Sequence, residues 1–144
     1  MSLKYHDMIK DLPDCPPITG KNITTDSYRF VFNDINHKNN FLPALIITPK
    51  RINSKIFSED RMKCSGYALS LFNKLENAIK RYVKLQKSVR NIKKTIGDHI
   101  ASGLIDKSDG YVTEPNKHGH FDLHEFDDVH LKNKFSVIYD LSGD

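Results

Sequence analysis

The sequence predicts an α+β fold in which a small antiparallel sheet packs with one long amphipathic helix, in the order β-β-α-β-β-β. Two patterns carry this prediction: short segments of alternating residues near both ends, and a central stretch with apolar residues every three or four positions. The length of 144 residues is close to the common size of one domain. We therefore expect a single α+β domain over residues 27–144, preceded by a loosely structured arm at 1–26.

The predicted arm shows no sustained periodicity. It contains Pro13, Pro16, Pro17 and Gly20 among scattered polar residues, which favours irregular structure. We expect one short helix in it, near residues 3–9.

Two strands are predicted after the arm. Tyr28, Phe30 and Phe32 alternate with other residues, which is typical of a strand with one aromatic face packed inward. Residues 33–40 are rich in Asn and Asp and indicate a turn. Residues 41–48 are apolar on both faces and stand between prolines, so they predict a second, largely buried strand that completes a hairpin.

The central helix is predicted over residues 59–96. Ser58 followed by Glu59 and Asp60 is typical of a helix start, because the serine can cap free amides and the acids meet the positive end of the dipole. A helix of this length would extend roughly 57 Å, more than a compact domain needs. Gly66 and Gly97 are the expected weak points, and Gly97 or Gly103 could supply a left-handed cap.

Three further strands are predicted near the C-terminal end of the sequence. They cover residues 111–113, 119–126 and 135–141, and the Pro115–Asn116 pair separates the first two. In the last one, alternate residues from Phe135 to Leu141 share one face.

Charge and cysteine usage indicate a cytoplasmic protein. Charged residues near the start of the sequence leave no room for the apolar core of a secretory signal, and no apolar run approaches the ~20 residues that cross a bilayer. We therefore expect no membrane partner. Cys15 and Cys64 are far apart and lack a CxxC or Cys/His pattern, so we expect two reduced thiols rather than a disulfide or a Cys-based zinc site.

The densest cluster of chemically active residues lies between positions 118 and 125. On a strand, His118, His120, Asp122 and His124 would share one face, and imidazole with carboxylate suits a divalent metal such as zinc or manganese. The alternative is an ordinary solvated strand face. No other cofactor is predicted.

A ridge of lysines is predicted on the outer face of the long helix. Lys80, Lys84, Lys87 and Lys94 would lie opposite the apolar stripe and could contact successive phosphates of RNA or DNA. The alternative is a solvated helix face, which the absence of aromatic residues on the ridge favours.

The apolar stripe of the same helix is the third candidate site. A helix longer than its sheet would expose apolar surface, and a protein partner or a second copy would bury it. The alternative is packing within one subunit. The predicted contact residues are Leu69, Phe72, Leu75, Ile79, Tyr82, Val89, Ile92 and Ile96.

From these sites we expect a non-enzymatic protein that works through protein contacts, as a homo-oligomer or as a small subunit of a larger assembly. No Ser, Cys or Lys stands in a nucleophile motif, so no catalytic residue is assigned. The first alternative is a metal-dependent enzyme or metal-regulated protein that uses the histidine cluster. The second is a nucleic-acid-binding protein that uses the lysine ridge.

Overall fold

The computed structural model describes residues 2–17 and 24–142 and combines short helices with one sheet. The helices and strands, in chain order, are α1 (His6–Ile9), β1 (Thr25–Val31), α2 (Ala44–Ile47), α3 (Asp60–Gly66), β2 (Leu69–Phe72), α4 (Leu75–Ser88), α5 (Ile92–Ile96), β3 (His99–Ile105), β4 (Gly110–Val112), β5 (His120–Glu125) and β6 (Ser136–Asp140). Short 3-10 turns lie at Pro49–Asn53, Lys55–Phe57 and Leu131–Asn133.

All six of these strands form one antiparallel sheet, in the order β4-β5-β2-β1-β3-β6. The prediction of a mixed fold built on an antiparallel sheet is therefore confirmed. The most extensive pairing joins β1 to β3 along their full lengths. By contrast, β1 and β2 pair at a single position, Tyr28 with Phe72, and residues of both strands line the cavity described below.

Apolar side chains cover both faces of the sheet. One face carries the larger core, in which Leu71, Phe121 and Leu123 pack with residues of the segments that follow β1 and β5. The other face carries a smaller cluster centred on Phe72, Ala78 and Ile100, through which α4 packs on the sheet. Alternation along the strands explains this division, because successive side chains point to opposite faces.

The single helix predicted over residues 59–96 is wrong. The segment folds as α3, then β2, then α4 and α5. Leu69 and Leu71 are fully buried on one face of β2, which is the two-residue period of a strand. This short period falls inside a longer stretch with apolar residues every three or four positions, the spacing that predicted a helix. The helix ends at both predicted weak points, since Gly66 closes α3 and Gly97 follows α5 with a φ of 86°. A Cβ on Gly97 would clash with the carbonyl oxygen of Val31.

The hairpin predicted over residues 28–48 is also wrong. Pro43 stands in extended conformation at the N-cap of α2, and the apolar segment that follows forms a helical turn rather than a strand. Strand β1 pairs instead with β3, a strand absent from the predicted order. The predicted order β-β-α-β-β-β fails at these points, whereas β1, β4, β5 and β6 lie within a few residues of their predicted positions.

The N-terminal segment lies along the end of β5. Leu3 forms an isolated antiparallel bridge with Phe126, and the Lys4 amide donates to the Glu125 carbonyl at 2.9 Å. Helix α1 follows within the range predicted for a short helix, with Ile9 buried. The proposed division into an arm and a domain stays a prediction.

The two cysteines form a disulfide, so the prediction of two reduced thiols is wrong. Cys15 and Cys64 have a Cα separation of 5.7 Å and lie 49 positions apart in sequence. The bond joins the N-terminal segment to α3. Sequence spacing did not reveal it, because the fold alone brings these two segments together.

No helix within the described residues is both long enough and apolar enough to cross a membrane.

Candidate ligand-binding cavity

The cavity begins where β1 and β2 separate. Tyr28 and Phe72 are the one register position at which the two strands pair, and the Arg29 guanidinium reaches from β1 to the Ser70 carbonyl of β2. Its guanidinium donates to three backbone carbonyl oxygens: Ser70 at 2.9 Å, Asn40 at 2.7 Å and Leu42 at 3.3 Å. Arg29 therefore replaces part of the missing ladder and ties the loop after β1 to β2.

Burial lowers the pKa of Arg29 to about 10, and the charge of Glu125 opposes that change. The guanidinium consequently stays charged at neutral pH. In the described part of the chain, three carbonyls accept from three of its five N–H groups.

The space beside Arg29, which we call the cleft cavity, measures about 530 Å³. Phe30, Phe57, Phe72 and Leu85 supply much of its apolar wall. Four basic side chains also line it: Arg29, Arg81, His118 and His120. Among the described residues that line it there is no Asp or Glu. The cavity thus has largely apolar walls, and the arginines among its described lining residues have no acidic counterpart there.

A serine and a histidine meet at this cavity. Ser70 Oγ and His120 Nε2 are hydrogen-bonded at 2.5 Å, with Ser70 on β2 and His120 opposite Phe72 on β5. Asp122 Oδ1 lies 3.8 Å from the same Nε2 atom. In a nucleophilic triad the carboxylate holds the other ring nitrogen, so this arrangement fits a hydrogen-bonding group better than an activated nucleophile.

Burial shifts the pKa values of His120 and Asp122 in opposite directions. It lowers the pKa of His120, with a further decrease from Arg81, while Asp122 opposes the shift. It raises the pKa of Asp122, against the effects of His120 and of a hydrogen bond from Ser65. The imidazole is accordingly neutral at pH 7 and can donate or accept one hydrogen bond.

The four predicted metal ligands do not all point to one place. His120 and Asp122 are neighbours, as given above, whereas His118 is exposed in the turn before β5. His124 is buried beneath α3, and its Nε2 lies 3.8 Å from Cys64 Sγ. Metal binding by the set of four stays a prediction.

A different set of metal-binding residue types is close together. The ligand atoms of Cys15, Cys64 and His124 all lie within 4.8 Å of one another. Burial lowers the pKa of His124 to about 4, so its imidazole is neutral. The structure thus shows a Cys/His group of the kind that can hold a metal, with both sulfurs joined in a disulfide.

A buried ion pair lies on the opposite face of β5. Lys4 Nζ donates to Glu125 Oε2 at 3.0 Å and to the Val129 carbonyl at 2.7 Å. Glu125 Oε1 is buried without a hydrogen-bond partner among the described residues. Burial raises the pKa of Glu125, and Lys4 and Arg29 oppose that rise.

The lysine ridge is divided between two helices. Lys80, Lys84 and Lys87 lie exposed on α4, whereas Lys94 lies on α5 beyond Asn91, which has a φ of 58°. None of the ion pairs between described residues involves these four lysines. Their role in binding nucleic acid stays a prediction.

Most of the predicted contact stripe is packed within the subunit. Leu69 and Phe72 are buried in β2, and Tyr82 is buried in α4 with its hydroxyl donating to the Gly97 carbonyl at 2.9 Å. The stripe residues with intermediate or full burial are Leu69, Phe72, Leu75, Ile79, Tyr82, Ile92 and Ile96. Val89 is 36% exposed at the end of α4. The predicted long helix, whose length suggested a partner, is therefore not formed. The protein partner itself stays a prediction.

Sequence reasoning missed Arg29, Ser70 and the two cysteines as site residues. One signal was available for Arg29: a charged residue in the middle of a strand predicted to be half-buried has to find partners. Nothing in the local sequence marks Ser70, because its partner is 50 positions away.

Comparison with known proteins finds no matching family model, no similar curated protein and no similar solved structure.

Proposed function

We propose that the protein binds a small organic anion in the cleft cavity, with an apolar body and a carboxylate or phosphate head. The observation that carries the proposal is the lining: two arginines, Arg29 and Arg81, stand in an otherwise largely apolar space, with no acidic residue among the described lining residues. A charge imbalance of this kind favours a ligand of opposite charge.

Arg29 is the expected anchor for the head group. Its guanidinium is held in place by three carbonyls, which use three of its five N–H groups among the described residues. A fixed guanidinium loses little side-chain entropy on binding and can meet both oxygens of a carboxylate or phosphate. Arg81 is exposed at the cavity and can complete the contact from α4.

The aromatic walls suit an apolar body. Phe30 and Phe72 pack at 5.4 Å between ring centroids, and Phe57 lines the cavity from the segment before α3. The volume of about 530 Å³ falls within the range of small-molecule pockets. The hydrogen-bonded Ser70 and His120 add a polar contact at the same wall, which would orient the ligand.

The proposal is tested with a matched pair of probes. We expect 1-naphthylacetate to raise the melting temperature and to give saturable binding by calorimetry, whereas 1-naphthylacetamide, which has the same shape and no charge, binds at least about tenfold more weakly. A charged hydrogen bond contributes about 1.5 kcal/mol or more, and 1.4 kcal/mol corresponds to tenfold in affinity. Phenyl phosphate tests a phosphate head group in the same two assays.

Two neighbouring residues of α4 supply matched variants. Arg81→Gln should weaken naphthylacetate binding about tenfold by the same reasoning, because Arg81 lines the cavity. Lys80→Gln removes an equal charge from an exposed residue outside the lining and should leave binding unchanged. Equal affinity for the acid and the amide, or equal losses in both variants, would contradict the proposal.

A further inference from the structure

We propose that Cys15, Cys64 and His124 form a zinc site that exists only when the disulfide is reduced. The three residues come from the N-terminal segment, α3 and β5, and their ligand atoms already lie within 4.8 Å of one another. This site is separate from the cleft cavity and does not depend on the anion-binding proposal.

The donor set suits zinc. Two thiolates and one imidazole are standard zinc ligands, at about 2.3 Å for sulfur and about 2.0 to 2.1 Å for nitrogen. Tetrahedral bonds of those lengths place sulfur and nitrogen about 3.6 Å apart. Cys64 Sγ and His124 Nε2 are 3.8 Å apart, so this pair needs almost no movement to share an ion.

The disulfide and the metal exclude each other. Sulfurs joined by a covalent bond cannot both act as thiolate ligands, so zinc binding requires reduction first. Cys15 is half-buried while Cys64 and His124 are buried, so an external reductant reaches Cys15 more easily. The two oxidation states of one residue pair therefore define a metal-free and a metal-bound form.

The reduction uses a small thiol, such as glutathione, as the electron donor. One thiolate attacks Cys15 Sγ and displaces the Cys64 thiolate; a second attacks the mixed disulfide and releases the Cys15 thiolate together with the oxidised small-molecule disulfide. Zinc then takes both thiolates and His124 Nε2, with water as the fourth ligand. Two thiols become one disulfide, two electrons pass to the protein, and two protons are released to solvent.

The test uses tag-free protein and cobalt(II) as a visible substitute for zinc. Protein reduced with glutathione and desalted without oxygen should bind about one equivalent of Co²⁺, give a thiolate-to-cobalt absorption band, and lose that band when Zn²⁺ is added. The oxidised protein should give no such band. This comparison needs no substitution, so it cannot fail through misfolding of a variant.

Variants then assign the ligands. Cys15→Ser and His124→Asn should each weaken Zn²⁺ binding by about a hundredfold or more, because even partners outside the ligand set typically account for 10–100-fold. His120→Asn is the matched control on the same face of β5 and should leave binding unchanged. Reduced protein without the band, equal binding by oxidised protein, or a loss in His120→Asn that matches the loss in His124→Asn would overturn the proposal.

Discussion

The Cys15–Cys64 disulfide should account for a large share of the stability of the fold. It closes a loop between positions 49 apart, from the N-terminal segment to α3. The chain-entropy model gives about 4 kcal/mol at 25 °C for a loop of this length. At about 2.1 cal/mol/K of unfolding entropy per residue, a chain of 144 residues converts that energy into a fall of about 13 °C in melting temperature.

The assay is thermal unfolding followed by circular dichroism, with and without a thiol reductant, in a chelator that removes metal ions. A thiol count on the same sample establishes that reduction is complete. The Cys15→Ala/Cys64→Ala variant is the control, since its melting temperature should be low and insensitive to the reductant. An unchanged melting temperature in fully reduced wild-type protein would refute the reasoning, because the loop would then contribute no stability.

Three further predictions concern buried contacts and surface charge. Lys4→Met should lower the free energy of unfolding, measured in urea at pH 7, by about 2 kcal/mol. This loss is below the usual range for a broken buried pair because Lys4 is partly exposed. The loss should be smaller at pH 4. Because burial raises the folded pKa of Glu125, its protonated form favours folding at low pH, and this contribution is lost as pH rises through the folded pKa; losing Lys4 raises that pKa further. Tyr82→Phe should cost about 1 to 3 kcal/mol, since the buried Gly97 carbonyl loses its donor. If α4 binds RNA, Lys84→Ala should flatten the log–log salt slope by about one unit, and an unchanged slope would count against the ridge.

Sequence reasoning succeeded where polar and apolar residues alternate clearly along a strand and failed where the alternation is short or weak. The alternation around Phe121 and Leu123 indicated β5 and the direction of its side chains, and both residues lie in the core as expected. Strand β3 lies between β1 and β6 and includes Ala101 and Gly103, small residues with little strand preference, so nothing local distinguished it. Strand β2 spans only four residues, too few for its period to stand out from the helical pattern around it.

The residues that the sequence grouped into one candidate metal site have different surroundings in the structure, for a related physical reason. The sequence places His120, Asp122 and His124 on one face of a strand, and the structure agrees. Successive residues on one face are nevertheless about 6.6 to 7 Å apart, so each meets whatever packs above its own position. His120 meets Ser70 at the cleft cavity, whereas His124 meets Cys64 beneath α3. The polar residues of this strand face are adjacent in the sequence, but the elements that cover the strand divide them between two sites. The partners that decide this division, Ser70 and Cys64, lie 50 and 60 positions away in the sequence.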